Sequence, residues 1–443
     1  MLRHTSVRAS DVPRTLLFIS PHFPPDSAAG THRARILAPH LQRFGWRPIV
    51  LTVDPASIEG DVDPELASTV SGAVEVIRVK AWPHRWTRRV GFGDLGLRAY
   101  RALRRTALHL ARSGRVDAVL LTTYPTYPAL MGAAVKRAAH VPFVLDLQDP
   151  WVGAWGKDVG PGGVPDLRSR ASRALAGKLE MRAASAADAL MSVTTRTMQD
   201  VVARVPAAAD IPHLEVPIGW EPSDWTRVRK EPSANLVFDR RDGHTHVCAV
   251  GTLLPTAIDG LRAFLEGVAR ATTTPEARQR LRVWFIGTSN ERRADAPAIV
   301  RPLAERAGVG DVVREHAPRL AYFDALRVLR DADAVLVLGS GEPHYTPSRL
   351  FPALASRRPV IARLHADSPA SQLLAAAAHS RLIHQIVSPS DVEHQAEQFA
   401  NALVSVLASS GCPNAQDDRL LAPFTGEALA EHVAGLLDGL CAS

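Results

Sequence analysis

At 443 residues, with 46% hydrophobic and 22% charged side chains, the chain exceeds one ordinary domain and has a soluble globular composition. Two cores of about 200 residues each are expected. The net charge of +7 comes from arginine far more than from lysine. It leaves nucleic acid, acidic lipid headgroups and phosphorylated metabolites open as partners. The stretch MLRHTSVRASDVPR carries no continuous apolar segment, and no later run approaches the roughly 20 residues of a membrane span. The expectation is therefore a protein neither exported nor integral to a membrane. Cys248, Cys412 and Cys441 are odd in number and lack metal-ligand spacing, so they read as thiols of a reducing cytoplasm, and no metal site is expected.

From Leu16 the first half alternates strand and helix patterns: LLFIS, RPIVLTV, VEVIRVK, DAVLLTT, PFVLDLQD and DALMSVT, with helical segments between most of them. This is a doubly wound α/β pattern. In LLFISPHFPPDSAAGTHR the first strand runs into a loop stiffened by Pro24 and Pro25. Ala28, Ala29 and Gly30 leave room for close approach before a helix near Thr31. A phosphate could rest there, although any strand-to-helix turn favours such residues. The glycine fingerprint of dinucleotide binding is absent, which disfavours NAD.

The most basic segment is Trp82 to Arg115. At about 100° per residue, Leu97, Tyr100, Leu103, Ala107, Leu110 and Ala111 share one helical face, with Arg98, Arg101, Arg105 and Arg112 as a stripe beside it. Such a stripe suits an anionic membrane surface or a charged acceptor, and it equally describes the solvated face of a core helix. It lacks interleaved aromatics and any reader motif, so nucleic acid is the weakest partner class. Further on, LDLQDPWVGAW places Asp146 and Asp149 at a strand's carboxyl end. They are positioned to bind sugar hydroxyls or to take a proton, unless they only cap the loop. Trp151 and Trp155 have the rings to stack on a sugar or to pack.

Val216 to His246, rich in Pro, Trp, Asp and Arg and without period, reads as a linker. The alternation then resumes with HVCAVGT, LRVWFIG, DVVREH, DAVLVLG, RPVIARL and RLIHQIVS, so the fold is laid down twice. The most informative stretch is VLVLGSGEPHYTPSRLFPALASRRPVIARL, Val335 to Leu364, read as strand, loop, helix, strand. Uncharged Val, Leu and Ile runs mark strands buried on both faces, and ligands bind beyond their carboxyl ends. Glu342, Tyr345, Thr346, Ser348 and Arg349 crowd that rim with a carboxylate, hydroxyls, a guanidinium and free amides, which is chemistry for a phosphorylated polar ligand. A helix from Asp391 to Leu407 follows. Thr425 to Leu440 is a last helix able to fold back across the junction. No short-period repeat argues for a solenoid or propeller.

In their order and spacing, PHFPPDSAAGTHR, LDLQDPW, VGTLLP and YTPSRLFPALASRRPVIA resemble the family 4 type glycosyltransferases of the GT-B fold, over about residues 14 to 440. The resemblance implies two Rossmann-like doubly wound domains with a cleft between them. Residues 14–215 would form the acceptor domain, 216–245 a linker and 246–420 the nucleotide-sugar domain, with 421–443 a C-terminal helix. It also implies retention of anomeric configuration, with a nucleotide-diphosphate sugar as co-substrate and no metal or other cofactor.

Carried over by position, Gly30 and Arg33 face the donor diphosphate, Gly251 and Thr252 form a donor phosphate loop, and Arg349 binds the diphosphate. Gly341, Tyr345, Thr346 and Ser348 complete the donor side. Glu342 contacts donor sugar hydroxyls, Asp146 orients or deprotonates the acceptor, and Asp149 and Trp151 lie on the acceptor side. The chain departs from the family in three places. Gln148 replaces an arginine, no basic residue follows the Gly251 loop, and Pro352 stands where a glutamate usually holds the ribose. Proline offers no side-chain acceptor and disfavours helical geometry at Phe351, so a shifted or broken first helical turn is expected there.

The expected function is sugar transfer to a glycan, lipid-linked or small-molecule hydroxyl in cell-envelope polysaccharide, glycolipid or natural-product synthesis. The expected place is the cytoplasm, with a peripheral position at the inner membrane face if the arginine stripe meets lipid. The competing readings are an epimerase or hydrolase of the same fold, and a catalytically impaired sugar-binding or scaffold partner.

Overall fold

A computed structural model describes residues 13–59, 62–70, 72–87, 89, 93–152, 167–232, 235–289, 295–343, 345–376, 383–409 and 418–442. Trp155 and Cys412 lie outside them. The chain forms two compact units, one of residues 1–218 with 426–443, the other of residues 219–425.

In the first unit seven strands form one parallel sheet in the order β3-β2-β1-β4-β5-β6-β7. They are β1 (Arg14–Ile19), β2 (Trp46–Val53), β3 (Glu75–Val79), β4 (Ala118–Thr122), β5 (Phe143–Leu147), β6 (Ala189–Ser192) and β7 (His213–Glu215). Six match the apolar runs of the sequence. The seventh is a three-residue edge strand, too short to show a pattern. Central strands β1, β4 and β5 are buried nearly throughout, because helices cover both faces. Leu17, Leu103, Leu121 and Phe143 fill one side, and Leu16, Phe18, Leu37 and Val50 the other.

The C-terminal helix Gly426–Ala442 completes this second side. It packs against the Thr31–Leu41 helix and buries Leu429, Val433 and Leu437. Asp438 Oδ1 accepts from Arg14 Nη1 at 2.9 Å and from the Trp46 indole N–H at 3.1 Å.

The second unit holds a six-stranded parallel sheet in the order β10-β9-β8-β11-β12-β13. Its strands are β8 (Thr245–Val250), β9 (Leu281–Ile286), β10 (Val313–His316), β11 (Ala334–Leu338), β12 (Val360–His365) and β13 (Ile383–Ser388). Cores again lie on both faces, one built on Phe264, Phe285 and Phe399, the other on Trp225, Phe323 and Phe351. From Gly219 onward the stretch read as a linker belongs to this unit. Helix Pro222–Lys230 buries Trp225 and Val228 beside Phe323 and Leu326, and the Trp220 indole N–H donates to the Leu421 carbonyl at 2.9 Å. Nine residues hold too few turns for a hydrophobic period to stand out among Pro, Asp and Arg.

Candidate functional site

Each sheet reverses its winding once, between β1 and β4 in the first unit and between β8 and β11 in the second. At such a reversal the loops after the two strands diverge to opposite faces and leave a crevice at the carboxyl ends. The sequence motifs fall on these loops.

In the second unit, Gly251 follows β8 with φ +113°, a conformation closed to ordinary side chains. Its amide donates to the Ile286 carbonyl at 2.8 Å, holding the loop to the neighbouring strand. The loop after β11 begins at Gly339, where a Cβ would come within 2.8 Å of the Arg363 carbonyl oxygen. Ser340 is buried, and its Oγ accepts from the Glu342 amide at 3.3 Å. Gly341 is exposed with open space around it, and the Tyr345 amide donates to the Glu342 carbonyl at 3.2 Å. Thr346 carries a buried hydroxyl with no hydrogen-bond partner among the described residues, while Ser348 is exposed.

The two loops are tied together by Arg349, whose Nη2 donates to the Thr252 carbonyl at 2.8 Å. A guanidinium has five N–H donors, so four remain. No carboxylate pairs with Arg349 among the described residues, and an unpaired cation over a glycine loop suits an anionic ligand.

Pro352 sits in helix Leu350–Ala355, which is not broken. The expected disruption does not occur because proline falls in the first turn, where amides have no intrahelical partner, and Phe351 is anchored in the core. Pro352 and Arg349 border a small apolar cavity of about 100 Å³ with Tyr322, Leu326 and Val337.

In the first unit the outcome differs. Arg33 and Asp146 are 1% and 0% exposed and form an ion pair, Nε to Oδ2 at 3.0 Å, and Arg33 Nη1 donates to the Pro217 carbonyl at 3.1 Å. Burial pushes the Asp146 carboxyl up and the Arg33 guanidinium down, each opposed by its partner's charge. The sequence reading gave Arg33 to the donor and Asp146 to the acceptor. In the structure the two pair with each other, the third residue of helix Thr31–Leu41 reaching the carboxylate on β5. Gly30 lies against Tyr124, where a Cβ would fall 2.3 Å from the ring, so its smallness serves packing between the β1 and β4 loops. Gln148 donates to the Thr122 hydroxyl at 2.5 Å. Asp149 is exposed, and Trp151 packs edge-on against Tyr127 with centroids 6.3 Å apart.

Sequence reasoning missed a cluster at the β1–β4 reversal. His22 Nδ1 pairs with Asp26, and the His22 ring lies 5.4 Å from that of Tyr124. Asp94 caps helix Leu95–Arg112, accepting from the Leu97 amide at 2.9 Å, and burial raises its carboxyl against the pull of its backbone hydrogen bonds and of the nearby His22. A histidine and an aspartate four apart after the first strand were the available signal. The arginine stripe also loses a member. Arg98 is buried, donating to the carbonyls of Trp82 and Ser57 and pairing with Glu59.

Residues 29–213 match the family model described as a glycosyl transferase 4-like domain. No match is found among curated proteins. Among solved structures, Anabaena HepE in complex with UDP is 14% identical, with 96% of this chain and 100% of that one covered and a TM-score of 0.55. A UDP-forming α,α-trehalose-phosphate synthase from Burkholderia vietnamiensis is 14% identical, with 97% and 100% covered and a TM-score of 0.60. A glycosyltransferase from Rickettsia africae is 12% identical, with 97% and 94% covered and a TM-score of 0.52. At these identities the likeness is one of fold.

Proposed function

We propose, for a chain of GT-B fold whose residues 29–213 carry a glycosyl transferase 4-like domain, that it moves a sugar from a nucleotide-diphosphate donor to an acceptor hydroxyl. The observation that carries this reading is the bond from Arg349 to the Thr252 carbonyl, which joins the two loops at the β8–β11 reversal and leaves a guanidinium unpaired above them. In the transfer step negative charge grows on the departing diphosphate. Fixed donors aimed at that charge lower the barrier without reorganising. Arg349 and the amides near Thr346 and Ser348 would supply them, with the Gly251 loop held close by its bond to Ile286. The buried Thr346 hydroxyl would find in a ligand oxygen the partner it lacks.

Retention of configuration, a glycan, lipid-linked or small-molecule acceptor, and a role in cell-envelope or natural-product glycosylation belong to the same proposal. So does the nucleobase. HepE is described with UDP and with UDP-glucose, which makes UDP the first ligand to try. The ribose would be held without a carboxylate at position 352, where proline borders an apolar cavity instead. That substitution favours a second reading, a sugar-binding partner descended from a transferase that no longer binds nucleotide.

Calorimetric titration with UDP, GDP, ADP and dTDP separates the two. One nucleotide should bind, and Arg349→Ala should weaken it roughly 10- to 100-fold, the worth of a charged hydrogen bond. Absence of binding to all four by a folded protein would establish the second reading. Once the donor is known, the anomeric configuration of the product by NMR tests retention.

A further inference from the structure

The side of the first unit formed by three successive helices carries an excess of positive charge. Helices Leu95–Arg112 and Gly132–Ala139 contain no acidic residue, and in Leu167–Ala184 the only one is Glu180, which is buried and spent on Arg204. Elsewhere in this unit Arg43 pairs with Glu427 and Arg47 with Glu75, while on the middle helix itself Lys136 pairs with Asp188. Between the three helices lies an open pocket of about 620 Å³ lined by Arg104, Arg137, Lys178 and Arg182, with Tyr100 at its wall. All four cations are exposed, and among the described residues none has a carboxylate partner. Like charges gathered around a cavity repel, and an anion bound among them relieves that repulsion.

Large apolar side chains stand in the same field. Trp82 and Trp86 are 52% and 63% exposed, and the Arg101 guanidinium lies over the Trp82 ring at 5.3 Å. Met181, beside the pocket, is 51% exposed. A soluble anion would answer the cations and leave the indoles in water. A surface with anionic headgroups above an apolar interior answers both, since tryptophan favours the headgroup level and arginine reaches phosphate over its own aliphatic stem.

We propose that this three-helix face docks on an anionic phospholipid bilayer, with a headgroup phosphate in the pocket of Arg104, Arg137, Lys178 and Arg182 and with Trp82 and Trp86 entering the interface. The proposal does not depend on the transfer reading.

The test is sedimentation of the full chain with vesicles of phosphatidylcholine alone and of phosphatidylcholine mixed with phosphatidylglycerol, at low and high salt. The chain should bind the anionic vesicles only, and salt should release it. Arg104→Glu, Arg137→Glu and Arg182→Glu together should weaken binding at least roughly 100-fold, about fivefold for each cation lost. Trp82→Ala with Trp86→Ala should weaken it further while the circular dichroism spectrum stays unchanged. Arg196→Gln, which removes an exposed cation already paired with Asp200, should change nothing. Equal binding to both vesicle types, or no effect of the triple variant, would overturn the proposal. So would calorimetric binding of soluble glycerol phosphate in the pocket without vesicle binding, which would assign the site to a free phosphate ligand.

Discussion

Arg33 and Asp146 sit at motif positions and are also partners in a buried ion pair. Removing one member of a wholly buried ion pair leaves the other charge uncompensated. Asp146→Ala should therefore cost about 3–5 kcal/mol, while Arg33→Met with Asp146→Leu should recover much of that loss, both read by denaturant unfolding of the first unit. A donor or acceptor role would show separately, as loss of activity in a double variant whose stability has been recovered. Gly30 carries a separate prediction. Gly30→Ala drives a methyl into Tyr124 and should cost about 1–3 kcal/mol, and less than that when Tyr124 is already alanine and the ring is gone. The identity of Gly30 and Arg33 as special positions was legible in the sequence, but their partners were not. Tyr124 and Asp146 lie on other strands, and no spacing reports which side chain closes over which.

At the scale of elements, two loops of the second unit that were read separately in the sequence lie side by side. Gly251 and Arg349 were both singled out from sequence, and the strand order β9-β8-β11-β12 brings them together. Gly251→Ala forces a side chain into left-handed backbone and should cost about 1–3 kcal/mol. In the proposed function it should also weaken nucleotide binding, as seen by calorimetry.

The segment before β8 is pinned by Asp331, whose carboxylate takes the Asn235 amide and side chain and pairs with Arg330 at 2.7 Å. Burial opposes ionisation of Asp331, but the bonds from Arg330 and Asn235 outweigh it and hold its carboxyl below the usual range. A lowered folded value means stabilisation present above the unfolded value of 3.8 and lost as pH falls through the folded value. Asp331→Asn should flatten that acid limb in a stability-against-pH series and leave the neutral-pH slope unchanged. Pro352 taught the converse lesson. Its sequence context argued for a broken turn, and the turn forms because only its place in the first turn matters.

For the molecule as a whole, the chain crosses between its two units twice, at residues 218–219 and 425–426. The last helix therefore completes a core laid down by the first strands. Leu437→Ala should cost about 2–5 kcal/mol, and hydrogen exchange should place the loss in the first unit, around Leu37, Leu41 and Val50, with the second unit unaffected. Under the proposed function the reverse holds for ligand. Nucleotide at 100 times its Kd should add about 2.7 kcal/mol to the second unit alone.

The sequence by itself determined the doubly wound α/β class, twelve of the thirteen strands among the described residues and the loops at the two winding reversals. Strands buried on both faces and glycines at strand ends are local requirements, and local requirements leave a local record. Only the tertiary structure decided which of those loop residues are free to act. It paired Arg33 with Asp146 and Arg98 with Glu59, left Arg349 without a carboxylate partner and the Thr346 hydroxyl without a hydrogen bond among the described residues, and set Arg104, Arg137, Lys178 and Arg182 around one pocket. The availability of a charge depends on what the fold brings within about 4 Å of it, and that distance is set by residues far away in the chain.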